Sequence, residues 1–180
     1  GPLVRYAYRA SRKQTGKVLE PIAVSAHHPM ILMGYGAFEL AMERSHRVDP
    51  RLKALAELKA ATMTGCEFCM DIGSKLGREA GVTERQVREF LVYRVSDAFS
   101  PLERLVIDYA AGMSKSPVDV PDSLFAELRR DLDEGQMVEL TAAIALENYR
   151  GRFNWALGIG SQGFSDGQVS VAPEVTDILA

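Results

Sequence analysis

The sequence predicts an all-α chain, and three observations carry that reading. Helix-start signals recur along the 180 residues. They are Asp49-Pro50, Thr83-Glu84-Arg85-Gln86, Ser100-Pro101-Leu102-Glu103 and Asp133 with Gln136, each placing a side-chain oxygen where it can take up orphan helix N–H groups. No alternation of apolar and polar residues runs far enough for a strand. The run Leu140-Thr141-Ala142-Ala143-Ile144-Ala145-Leu146 is apolar around its circumference, as a central helix is. With 47% apolar and 25% charged residues, a real core is expected, within one domain over residues 1–180.

Taken in order, residues 1–18 carry Arg5, Arg9, Arg12, Lys13 and Lys17 with Tyr6 and Tyr8 and little periodicity. They read as a solvated basic arm, with an anionic partner or membrane surface as the alternative use. A short helix is expected within residues 19–28, around Pro21. Pro29 suits the first position of a helix that carries Leu32, Tyr35, Phe38, Glu39 and Met42 to about Ser45. His27 and His28 stand at its start and read as surface or capping residues.

Asp49-Pro50 opens the next helix, with Leu52, Leu55 and Met63 on one face, and Gly65 suits its left-handed stop. Another pattern runs from Cys66 or Glu67 through Ile72 and Leu76 to Ala80, ended by Gly81. The Thr83 box opens a short helix to about Tyr93. The Ser100 box opens one with Leu105, Val106, Tyr109 and Met113. Pro117 and Pro121 bound a loop, and a helix follows from Asp122 or Ser123 to Leu132. The last and longest helix is expected from Glu134 to about Gly158. Gly151 inside it costs roughly 1 kcal/mol against Ala, a cost that close helix packing would justify. Residues 159–180 read as a loose tail able to dock on a neighbouring subunit.

Charge and hydropathy exclude some functions. A formal net charge of −3 is wrong for a nucleic-acid binder. No apolar run reaches the length of a membrane span, and no leader-like segment is visible. A cytoplasmic protein is expected.

Cys66 and Cys69 are the two cysteines of the chain. Residues three apart on a helix have Cβ atoms roughly 5–6 Å apart, and a small adjustment closes a disulfide. Cys66 falls at a helix N-terminus, where free N–H groups and the helix dipole favour a thiolate. A C-x-x-C without further cysteines is a redox pattern, against the plainer reading of two small core residues. Structural zinc wants four ligands, and His27, His28 and His46 lack finger spacing, so no metal and no bound cofactor are expected.

The segment LKALAELKAATMTGCEFCMDIGSKLGREAGVTERQ resembles the carboxymuconolactone decarboxylase family, in its alkylhydroperoxidase D-like branch. The flanks AHHPMILMGYGAFELAMERSHRVDPRLK, FSPLERLVIDYAAG and ELTAAIALENYRGRFNWALGI agree, so the resemblance runs from about Val18 to Gly163. It implies an all-helical fold, a homo-oligomer and peroxidase chemistry at the cysteine pair. In the family's pattern the second cysteine attacks the peroxide and the first closes the disulfide, which assigns those roles to Cys69 and Cys66. The pattern also carries a Glu about twelve residues before the first cysteine, and a His four after the second. Here those positions hold Ala54 and Gly73, and the missing imbidazole is expected to leave space beside Cys69.

Four acids are candidate substitutes in a proton relay: Glu57, Glu67, Asp71 and Glu147. Glu147 stands in the apolar helix with Arg150 at i+3 and Arg152 at i+5, the former better placed to pair. The expected activity is a thiol-dependent hydroperoxidase or disulfide oxidoreductase with an antioxidant role. It would draw on an external dithiol reductant, a lipoyl- or thioredoxin-like partner. The alternatives are a redox-sensing or scaffold oligomer, or a decarboxylase-type lyase. The last fits less well, because no cationic cluster is evident for a dicarboxylate lactone.

Overall fold

Helices begin where the capping code marks them. The computed structural model describes residues 1–165, 168 and 170–174, and these form nine α-helices and one 3-10 turn, with no strand among the described residues. They fall into two compact units, Gly1–Ser45 and His46–Ala180.

In the first unit the expected basic arm is itself a helix, α1 (Pro2–Thr15), closed by Gly16 at φ 82. Pro2 presets its first turn, and Arg12 and Lys13 lie in its last turn, where the helix dipole favours cations. Buried Ser11 pins the exit: its hydroxyl donates to Lys17 O at 2.9 Å and accepts from Leu19 N–H at 2.9 Å. Helices α2 (Glu20–Ser25) and α3 (Pro29–Glu43) follow. His28 caps α3, its Nδ1 accepting from Ile31 N–H at 3.4 Å, while His27 is exposed.

The second unit is built on α4 (Pro50–Thr64), which packs against α5 (Glu67–Glu79), α7 (Pro101–Ser114) and α9 (Glu134–Ala156). Helix α6 (Glu84–Arg88), the 3-10 turn Phe90–Val92 and α8 (Asp122–Asp131) complete it. Ala56 and Ala60 of α4, Ala110 of α7, and Leu140 and Ile144 of α9 share one buried cluster. The alanines let the helix axes approach, and each buried Leu or Ile contributes about 1.5–3 kcal/mol. Gly151 is required here: a Cβ on it would stand 2.3 Å from Thr64 Oγ1, so α4 and α9 touch at that point. Glu103, the capping-box acid of α7, is buried and accepts from Ser100 N–H, Arg51 Nε and Gln86 Nε2, tying α4, α6 and α7 together.

Helix α9 is central within its own chain, which buries Leu140, Ala143 and Ile144. One expectation changes. The described part of the tail is not a loose arm. Residues 161–165 and 170–174 lie along α5 and α4 of the same chain, held at Asp71, Ser74 and Thr62. The remaining tail positions lie outside the described residues.

Candidate active site

Gly65, at φ 65, ends α4 in the left-handed conformation that a side chain would strain, and turns the chain straight into Cys66. Cys66 is the N-cap of α5, and its Sγ accepts from Cys69 N–H at 3.2 Å. The two cysteines are joined in a disulfide, with Cα atoms 5.2 Å apart. Both are buried, at 2% and 5% exposure.

A side chain from α9 reaches both sulfurs. Asn154, itself buried, points its Nδ2 amide at Cys66 Sγ (3.6 Å) and Cys69 Sγ (3.5 Å). Local patterning gives no sign of this residue. It stands in the aromatic run Phe153-Asn154-Trp155, and only packing brings it to a turn 88 residues earlier.

Of the four candidate acids, Asp71, Glu57 and Glu147 have hydrogen-bond partners of their own and Glu67 is exposed. Asp71 turns away from the sulfurs toward the C-terminal segment. Its Oδ2 accepts from Ser161 Oγ at 2.7 Å, Gln162 N–H at 3.1 Å and Phe164 N–H at 3.0 Å, and its Oδ1 accepts from Ser165 N–H at 2.7 Å. Burial pushes its carboxyl up, but these donors outweigh burial and hold it below the usual range. Phe164 meets Phe68, one of the two residues between the cysteines, edge-on at 6.1 Å. Asp71 is thus the anchor of that segment. Glu67 is exposed, its Oε2 lying 3.4 Å from where a Cβ of Gly160 would stand.

Glu147 is buried, and its Oε2 accepts from Arg150 Nη1 at 2.7 Å. The same Nη1 lies 3.4 Å from Glu57 Oε1. Arg152 donates instead to Asn148. Arg150 and Glu147 precede Asn154 by one and two turns of α9, and the Glu57–Arg150–Glu147 group ties α4 to α9.

The space expected beside Cys69 is filled. A Cβ on Gly73 would stand 3.2 Å from Leu58 Cδ2, and one on Gly77 would stand 3.3 Å from Leu58 Cδ1. Where the family's pattern has an imidazole, this chain packs a leucine of α4 against two glycines of α5.

Lys59 is buried behind the same turn, with Nζ 2.7 Å from Glu174 Oε2 and 5.3 Å from the centroid of the Tyr93 ring. Burial and the hydrogen bond to Asp108 push the Tyr93 hydroxyl above its usual range. A shallow cleft of about 300 Å³ lies on the Gly65 side of the pair, between Met63, Thr64, Ser114, Arg152, Trp155 and Ala156. No group of three or more His, Cys, Asp or Glu among the described residues is arranged to hold a metal. No helix among them is long and apolar enough to cross a membrane.

Comparison with known proteins agrees with this architecture. The model of the carboxymuconolactone decarboxylase family matches residues 31–112. YnjA of Escherichia coli K12 is 35% identical over 153 residues, 84% of each chain. The chain belongs to the carboxymuconolactone decarboxylase family. Among solved structures, the apo form of the debrominase Bmp8 superposes with a TM-score of 0.81 at 21% identity, over 91% of this chain and 88% of that one. The alkylhydroperoxidase AhpD core of a peroxidase-related protein from Ralstonia eutropha JMP134 gives 0.82 at 18% identity, over 94% and 92%. At these identities the structures establish the alkylhydroperoxidase D-like fold. Within this carboxymuconolactone decarboxylase family member, the cysteine pair is held by a backbone N–H and an amide.

Proposed function

We propose that the chain is a thiol-dependent oxidoreductase that cycles Cys66 and Cys69 between dithiol and disulfide, reducing a hydroperoxide or a small disulfide. The observation that carries this reading is the disulfide closed across the first turn of α5, with its first sulfur on the helix N-cap. The names of the Bmp8 debrominase and the Ralstonia peroxidase-related protein support an enzyme on this fold.

With a hydroperoxide, the thiolate of Cys69 attacks the peroxide oxygen and the O–O bond breaks. The departing alkoxide takes up a proton and leaves as alcohol, and Cys69 is left as the sulfenic acid. The Cys66 sulfur then attacks the Cys69 sulfur, the S–S bond forms, and water leaves. An external dithiol of lipoyl or thioredoxin type returns the pair to the reduced state by thiol–disulfide exchange. The cycle consumes one hydroperoxide and one dithiol, in line with an antioxidant role in a cytoplasmic homo-oligomer.

General acid–base help is typically worth 10²–10⁴-fold. With Gly73 and Ala54 at the relay positions and Leu58 in the imidazole's place, turnover is expected to be slow. The test is hydroperoxide consumption with dithiothreitol as reductant. Slow turnover that Cys66→Ser and Cys69→Ser abolish is the expected result. A pair that forms its disulfide reversibly but never turns over would make the protein a redox sensor instead.

A further inference from the structure

We propose that Asn154 holds the thiolate of the reduced pair and shares it between the two sulfurs. This rests on the dithiol reading above but not on any particular substrate. An asparagine amide carries two N–H donors, and here Nδ2 lies at near-equal distance from both sulfurs, 3.6 Å from Cys66 and 3.5 Å from Cys69. The disulfide offers no hydrogen to donate, so the nitrogen side of the amide facing it is the favourable orientation.

When the disulfide is reduced, negative charge appears on one sulfur in a buried place. Burial disfavours that charge, and donors aimed at it restore it. Cys66 already has the Cys69 N–H. Cys69 lies inside the helix and has no such N-cap position, so the Asn154 amide is the donor that reaches its sulfur. A thiolate can then pass between attacking and resolving positions without losing its donor.

The charged groups around the turn leave this role to a neutral donor. On α5, Glu67 is exposed and Asp71 is occupied by the Ser161, Gln162, Phe164 and Ser165 donors. From α4 and α9, Glu57, Arg150 and Glu147 are joined to one another, with Arg150 one turn and Glu147 two turns before Asn154 on α9. Lys59 of α4 is engaged by Glu174.

The experiment measures thiol ionisation in the reduced protein, by the pH dependence of iodoacetamide alkylation, for wild type, Asn154→Ala and Asn154→Asp. The more acidic thiol should titrate about one unit higher in Asn154→Ala, and higher still in Asn154→Asp, where a carboxylate replaces the donor. The disulfide should become about tenfold harder to reduce in Asn154→Ala, about 30 mV more negative against a thiol buffer. The Asn154 side-chain amide resonances of reduced wild type should titrate together with the thiol, a reading that needs no variant to fold. Superimposable alkylation profiles, or amide resonances that stay fixed through thiol ionisation, would overturn the proposal. A shifted profile in a protein that consumes no hydroperoxide would leave Asn154 in its role and remove the peroxidase reading.

Discussion

The two sides of the α5 N-terminus differ in a way that bears on the chemistry. Toward α9, Cys66 and Cys69 meet one neutral amide, that of Asn154. Toward the C-terminal segment, Asp71 meets a ring of backbone and hydroxyl donors, and Ser74 accepts from Val171 N–H at 3.0 Å. Four residues lie between Cys66 and Asp71, yet one side presents a neutral amide and the other gathers donors around a charge. A buried carboxylate is stable where its lone pairs are filled and costly where they are not. The fold spends its acid on anchoring the segment that covers Phe68, and leaves the sulfurs to a group that cannot itself ionise.

The largest expected effect comes from emptying the anchored side. Asp71→Ala strands the N–H of buried Ser165 and those of half-buried Gln162 and Phe164, and should cost about 2–4 kcal/mol by urea unfolding, at about 1–3 kcal/mol for the buried donor and less for the two that rehydrate. Proteolytic cutting within residues 158–165 should appear first. A loss under about 1 kcal/mol would make the two sides equivalent and end the contrast.

Next comes Gly73→His. The ring must displace Leu58, so a stability loss of about 1–3 kcal/mol is expected, with no gain in hydroperoxide consumption. Pairing it with Leu58→Ala should return part of the stability and is the combination in which an added imidazole can act. A Gly73→His protein that is both stable and faster would show the space to be open.

The pH dependence sharpens the contrast further. The folded state holds the Asp71 carboxyl below its ordinary value of 3.8, so the unfolded chain binds the proton first as pH falls. Its contribution to stability is whole above that ordinary value, and is lost as pH drops toward the lowered folded value. Asp71→Asn should flatten this part of the acid limb of the unfolding curve. An unchanged acid limb would mean that other carboxylates, Glu103 foremost, carry it.

The smallest effect is expected from Glu147→Gln. Gln keeps an acceptor for Arg150, which also lies against Glu57. Because the pair is buried but the acceptor is kept, stability should fall by about 1–2 kcal/mol, and the rate of hydroperoxide consumption should change by less than about twofold. Loss of activity here would bring charge back to the sulfur side through α9.

What the sequence by itself determined is local. The Asp49-Pro50 start, the Gly65 stop, the boxes at Thr83, Ser100 and Asp133, and the placing of Cys66 at a helix N-cap were all legible, because caps and i, i+3 neighbours are decided within one helical turn. The family was legible for a related reason: its motif is a contiguous run around the cysteines. Everything that gives the turn its chemistry came from contacts far apart in the chain. Asn154 reaches Cys66 across 88 residues, Ser165 reaches Asp71 across 94, and Glu174 reaches Lys59 across 115. The cover over α9 and the leucine in the imidazole's place were decided in the same way. A side chain's pattern shows which face of its helix it occupies, but only packing shows what lies opposite, and at Gly73, Asp71 and Asn154 the opposite group sets the role.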